Sequence, residues 1–254
     1  MAITWSYQKH LEAFFMILAS FPPCYKAHIH NPQSLLLSFI QNNTDYDSLL
    51  QNTYQLYLQE SQAQDLQWII LQTDSEQDLI RKLEQTDLLI PTLKDYLLSL
   101  YSLCFNHIVP ALTSLHIQAI NDLLTQLLPD LILCRHALFK RHNPLHLLHI
   151  PSLTQYARVY QNQIICDLSM PEAHSFCQIL HESTHQVTDS LFLKRHPHLI
   201  SKTNQSTQQF LASPTHDILE RLAVRHSSRI IQHICPHRIV QDQQWRILYH
   251  VADV

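Results

Sequence analysis

The chain contains no glycine in 254 residues, where average usage would supply about 18. That absence excludes the Walker A loop, the GxGxxG dinucleotide turn and the G-x-S-x-G nucleophile elbow, all of which need glycine at fixed positions. Glycine-built hairpins are excluded too, and helices are expected to end on Asn, Ser or Pro. Charge is also scarce. Asp, Glu, Lys and Arg make 15% of the residues, against roughly 25% in an average domain. With 17 Lys+Arg, 21 Asp+Glu and a net charge of −4, there is no basic field to hold a nucleic-acid backbone. No apolar run reaches the ~18 residues of a membrane span. The six cysteines form no C-x-x-C pair, and a chain of this length does not depend on disulfide staples. They are expected as mostly buried thiols in a reducing compartment, the cytoplasm. Lys9 and His10 ahead of the apolar residues 11–21 are the one sign of a secretory signal. Glu12 interrupts that run, and Trp5, Leu11, Phe15 and Leu18 fit one face of an amphipathic helix.

What the chain does have is 46% apolar residues and 19 His, enough for a buried core. Helical spacing dominates the first part. Helices are expected over 4–20, about 33–41 and 45–72. Another is expected after Asp74, with Gln77 completing a capping box. Pro91, Pro110 and Pro129 each suit the first turn of a further helix, the last reaching about Lys140. Residues 141–155, with Asn143, Pro144, Pro151 and several His, read as a linker or surface loop. The expected division is a helical region over 1–150 and a metal-binding catalytic region over 151–254.

After residue 155 the pattern changes. Residues 157–160 and 164–168 are β-prone and are separated by a polar turn. Ser169-Met-Pro-Glu172 then has the form of a capping box and opens a helix to about Ser190. Helices follow over about 203–212, 215–233 and 241–250. The fold class is therefore mainly α, with one or two strands ahead of a central helix.

That helix carries His181-Glu182-Ser183-Thr184-His185. Two His four residues apart lie one turn apart on one face, so both imidazoles can reach the same metal ion. Glu182 points aside, where it can take a proton from water. Ala173, Phe176, Leu180, Thr184, Val187 and Leu191 form the expected buried stripe. The His pair lies on its flank, with Glu182 further round toward solvent.

The segment His181-Glu-Ser-Thr-His-Gln-Val-Thr-Asp189 resembles the H-E-L-T-H-A-V-T-D active-site segment of thermolysin-like metallopeptidases, which are gluzincins. The resemblance covers nine residues. It implies Zn²⁺ held by His181 and His185, Glu182 as general base and a downstream Glu as third ligand. That family's N-E-x-x-x-D helix is missing, and position 224 is Val. Glu220 is the one Glu after the motif and is the leading third ligand. His216, Asp217, His196 and His198 are its rivals, and the metzincin position is closed because it holds Leu191. Asp189, four residues past His185, is placed either to orient that imidazole or to lie exposed.

The leading expectation is a zinc-dependent peptidase acting on a peptide or protein, with residues 163–168 as an edge strand for extended substrate. Arg225, His226, His233 and Tyr249 are unranked candidates to stabilise a transition state. The strand, Leu168-Ser-Met-Pro171 and HExxH also resemble the largely helical HExxH-type 2-oxoglutarate-dependent peptide hydroxylases. That resemblance implies Fe²⁺ with His216 completing the ligands, and Arg221 or Arg225 on the oxoacid. A helical interaction protein without chemistry is the third possibility. The clusters His28/His30 and His142/His146/His149 read as surface histidines.

Overall fold

The structure is a computed structural model that describes residues 3–21, 44–59, 65–139, 144–152, 157–160, 163–197 and 213–248. The protein is mainly α, as its periodicity predicts. The helices expected over 33–41 and 203–212 lie outside the described residues, as do Cys24, His28, His30, His142, His198 and Tyr249. Among the described residues no helix is long and apolar enough to cross a membrane.

The chain forms two compact units. One comprises residues 7–117 and 150–155; the other comprises 1–6, 118–149 and 156–254. A division near residue 150 therefore cuts across both. Residues 118–149 belong with the HExxH helix, and 150–155 belong with the early helices.

In the first unit α1 spans Lys9–Ala19 and is buried at every position from His10 onward. A helix apolar on all sides is a core helix, and its two polar residues are satisfied. His10 Nε2 lies 3.1 Å from the Thr73 carbonyl oxygen. The Glu12 carboxylate accepts from the Ser152 N–H and hydroxyl at 3.1 and 2.5 Å. Around it come α2 (Thr44–Gln59), α3 (Leu66–Ile70), α4 (Glu76–Gln85) and α5 (Pro91–Leu103). Ser75, not Asp74, caps α4, its hydroxyl accepting from the Asp78 N–H. Pro91 occupies the first turn of α5, as expected.

Neither Pro110 nor Pro129 breaks the chain. A π-helical turn, Cys104–Ile108, leads into one long helix α6, Val109–Phe139. The wider turn accommodates the carbonyl that Pro110 cannot bond. At Pro129 the burial of Leu127, Leu131 and Cys134 outweighs one lost hydrogen bond.

The second unit holds a four-stranded sheet in the order β1-β2-β4-β3. The strands are β1 (Ile3–Tyr7), β2 (Leu145–His149), β3 (Arg158–Tyr160) and β4 (Gln163–Cys166). β2 runs parallel to β4, with His149 opposite Cys166, and β3 is antiparallel to β4. Two of these strands were unexpected, β1 inside a helical pattern and β2 inside the supposed linker. His146 joins them, its ring nitrogens 2.9 Å from the hydroxyls of Thr4 and Ser6. His149 Nδ1 accepts from the Leu168 N–H at 3.0 Å. Both histidines thus hold the sheet rather than decorate a surface.

α7 (Glu172–Arg195) packs against the sheet, and α8 (Pro214–Ile234) and, after a 3₁₀ turn, α9 (Ile239–Leu248) pack against α7. Their shared core joins Leu147, Ile164 and Cys166 to Phe176, Ile179 and Leu180. Without glycine, α7 and α8 end on His196 and Cys235, both with φ near −127 to −129°. Each precedes a proline, which disfavours the helical region for the residue before it.

Candidate metal centre

The HExxH helix does not begin as a capping box. The Ser169 N–H and hydroxyl donate to Asp167 Oδ1 at 2.9 and 2.5 Å, closing a turn between β4 and the helix. α7 then opens at Glu172, behind an extended Pro171 that caps nothing with its side chain. The predicted stripe is buried from Phe176 to Thr184 but has opened to solvent by Leu191, which is 52% exposed. Glu182 departs from its expected place, being only 8% exposed.

His181 and His185 face the same point, their Nε2 atoms 3.0 Å apart. Glu220 reaches that point from α8, a separate helix. Its Oε2 lies 3.2 Å from His181 Nε2 and its Oε1 3.3 Å from His185 Nε2. Ser213 caps α8 by accepting from the His216 N–H, and Pro214 fills the first helical position. These local signals fix where α8 starts, and its packing against α7 turns Glu220 inward. Of the sequence rivals, His216 joins the cluster, its Nε2 3.3 Å from Glu220 Oε1. Asp217 is exposed on the same helix. His196 packs beside Phe192, with ring centroids 4.5 Å apart.

The donor set fits a divalent cation. Two imidazole nitrogens directed at each other need a proton or a metal between them. A tetrahedral zinc with bonds of 2.0–2.1 Å sets its ligand atoms about 3.3–3.4 Å apart; the two Nε2 atoms are 3.0 Å apart, and each Glu220 oxygen approaches a different histidine, at 3.2 and 3.3 Å. Among the described residues, these three side chains are the group able to hold a metal ion.

Electrostatics agree with that donor set. Burial pushes the His181 imidazole down from its ordinary value, against the pull of Glu220. Burial also opposes charge on His185, but Asp189 and Glu220 outweigh it and hold the group up at about 10. Burial would raise Glu220; the two histidines instead keep its carboxyl well below the usual range.

Surrounding groups fix the ligands. Both Asp189 oxygens approach His185 Nδ1, at 3.0 and 3.1 Å, which decides between its two expected places. Trp245, on α9, lies over His181 with ring centroids 5.3 Å apart. Asp242, one turn earlier, is buried and accepts from the Ser228 hydroxyl at 2.9 Å. Burial raises its pKa, against the Ser228 hydroxyl and the nearby Arg246. The sequence offers no signal for Trp245 or Asp242, which stand more than 60 positions from His181. Arg221, Arg225, His226 and His233 are exposed. The strand expected at a sheet edge, β4, instead lies between β2 and β3. No protein-family model, curated protein or solved structure matches the chain.

Proposed function

We propose that the protein is a zinc-dependent metallopeptidase of the gluzincin type. The observation that carries this reading is the convergence of His181, His185 and Glu220, from two helices, on one point beside a buried Glu182. Zinc held there supplies Lewis-acid activation of water and of a peptide carbonyl. The chain's own residues have defined tasks. His181 and His185 would present Nε2 to the metal as neutral ligands; Asp189 fixes the tautomer of His185 by accepting its Nδ1 proton. Glu220 adds one negative charge, which leaves a zinc site at +1. Glu182 takes the proton of the attacking water and passes it to the leaving amine. Its burial limits the access of bulk water to that proton.

The test combines metal content with cleavage of a mixed peptide library. One equivalent of zinc and cleavage are expected for the wild type. Glu182→Gln should keep zinc and fold while losing at least a hundredfold in turnover, within the usual range for general acid–base catalysis. Near-wild-type turnover in that variant would reject Glu182 as the base. Stoichiometric iron retained through His216 would replace the peptidase by the oxoacid-dependent hydroxylase, although both arginines expected for the oxoacid are exposed.

A further inference from the structure

Cys134 and Cys235 stand 101 positions apart in the chain, yet their Sγ atoms lie 3.5 Å apart. Both side chains are fully enclosed. Cys134 belongs to α6, one turn beyond Asp130, and Cys235 closes the C-terminal end of α8. Contacts to Asp130 fix this placement. Its carboxylate accepts from Arg238 Nε at 2.5 Å and lies 2.9 Å from His237 Nε2. Its carbonyl oxygen lies 3.9 Å from Cys235 Sγ. Residues 235, 237 and 238 are thus clasped to the turn of α6 that precedes Cys134.

As thiols the two side chains gain little from meeting, because S–H is a weak donor and sulfur a weak acceptor. As a disulfide they need to close by about 1.5 Å, to a bond of roughly 2.0 Å. Burial and nearby charges raise the thiols of Cys104, Cys166 and Cys177, with no second thiol among the causes. Cys134 and Cys235 act on each other as well. The closed pair is shielded, but the shield is thin beside Cys235. Positions 232–234, 236 and 237 are all exposed, so fraying of the last turn of α8 uncovers that sulfur.

We propose that Cys134 and Cys235 are a disulfide-forming pair, which under oxidation staples the end of α8 to α6. The oxidant is a small-molecule disulfide. The thiolate of Cys235, uncovered by fraying, attacks one sulfur of the oxidant and expels one thiolate, leaving a mixed disulfide. As the turn recloses, Cys134 loses its proton and attacks the Cys235 sulfur, expelling the second thiolate. One S–S bond forms in the protein and one breaks in the oxidant, which leaves as two thiols carrying the protons of the two cysteines. The bridge closes a loop that contains β2 to β4, the HExxH helix and all of α8. It therefore restrains the unfolded chain across the whole segment that carries His181, His185 and Glu220. The bridge depends neither on the metal bound there nor on peptidase activity.

The test holds the full chain in glutathione redox buffers, from reducing to oxidising, with and without urea below the unfolding midpoint to promote fraying. Alkylation counts the remaining thiols, and fragment-ion mapping of unreduced peptides places any bridge. A Cys134–Cys235 bridge is expected, with Tm roughly 5–10 °C above that of the reduced chain. Cys235→Ala should lose both the bridge and the Tm difference, whereas Cys104→Ala should keep both. No bridge at the oxidising end, a bridge between other cysteines instead, or an oxidised chain no more stable than the reduced one overturns the proposal. The mapping is read on the wild type, so its result stands even where a variant does not fold.

Discussion

Asp189 stands one helical turn beyond His185 and brings both carboxylate oxygens to its Nδ1, at 3.0 and 3.1 Å. The opposite ring nitrogen is thereby committed to the point where His181 and Glu220 meet. A carboxylate on the far nitrogen sets the tautomer and makes the imidazole a better ligand, and removing such a partner typically costs 10–100-fold in metal affinity. Asp189→Ala is expected to weaken zinc binding by that range, measured by competition with a chromogenic chelator. Affinity equal to wild type would show that His185 is held by packing alone.

Glu220 and His216 are adjacent on one face of α8, yet their expected effects differ. Glu220 touches both motif histidines, whereas His216 touches Glu220. Glu220→Ala should strip the metal. His216→Ala should lower affinity by less than tenfold, and Asp217→Ala should leave it unchanged. The reverse order for Glu220 and His216 would make the histidine the third ligand.

Arg238 ties α6, α7 and the start of α9 together through Asp130, Glu172 and Gln241. Both carboxylates remain partly open to water, so the loss on breaking the cluster is below that of a fully buried pair. Arg238→Met should cost about 2 kcal/mol, read as a fall in denaturant midpoint at unchanged slope. Burial opposes charge on Asp130, but Arg238 and His237 hold its carboxyl below the ordinary value. That contribution is complete above the unfolded pKa, near 4, and is lost as pH falls through the folded value. A variant as stable as wild type at pH 7 would show that the cluster contributes nothing net.

His10 carries a signature in mild acid. Burial lowers its pKa, against the Thr73 carbonyl and the nearby acidic residues. The unfolded chain therefore binds the proton more readily, and stability falls as pH drops below the unfolded value, near 6.5. His10→Gln should flatten that part of the pH–stability curve between pH 7 and 5. An identical slope in the variant would place the titration elsewhere.

What was readable from the sequence alone is what depends on a few neighbouring positions. The pairing of His181 with His185, and of His185 with Asp189, follows from 3.6 residues per turn and needs no other part of the chain. The helical content and the start of α5 at Pro91 follow from equally local rules. Glu220 was readable as a candidate because no other glutamate follows the motif. Its choice over Asp217 depended on the packing of α8 against α7. Strands β1 and β2 stayed hidden because five residues are too few to separate a strand's period from a helix's, and their partners lie far along the chain. The long helix through Pro110 and Pro129 was hidden because local propensity argues for a break, and buried leucines overrule it. Trp245 over His181, and Cys134 against Cys235, belong wholly to the tertiary structure. Such contacts join side chains 64 and 101 positions apart, and they exist only once the helices have buried their apolar faces together, a collective free energy that no local stretch of sequence contains.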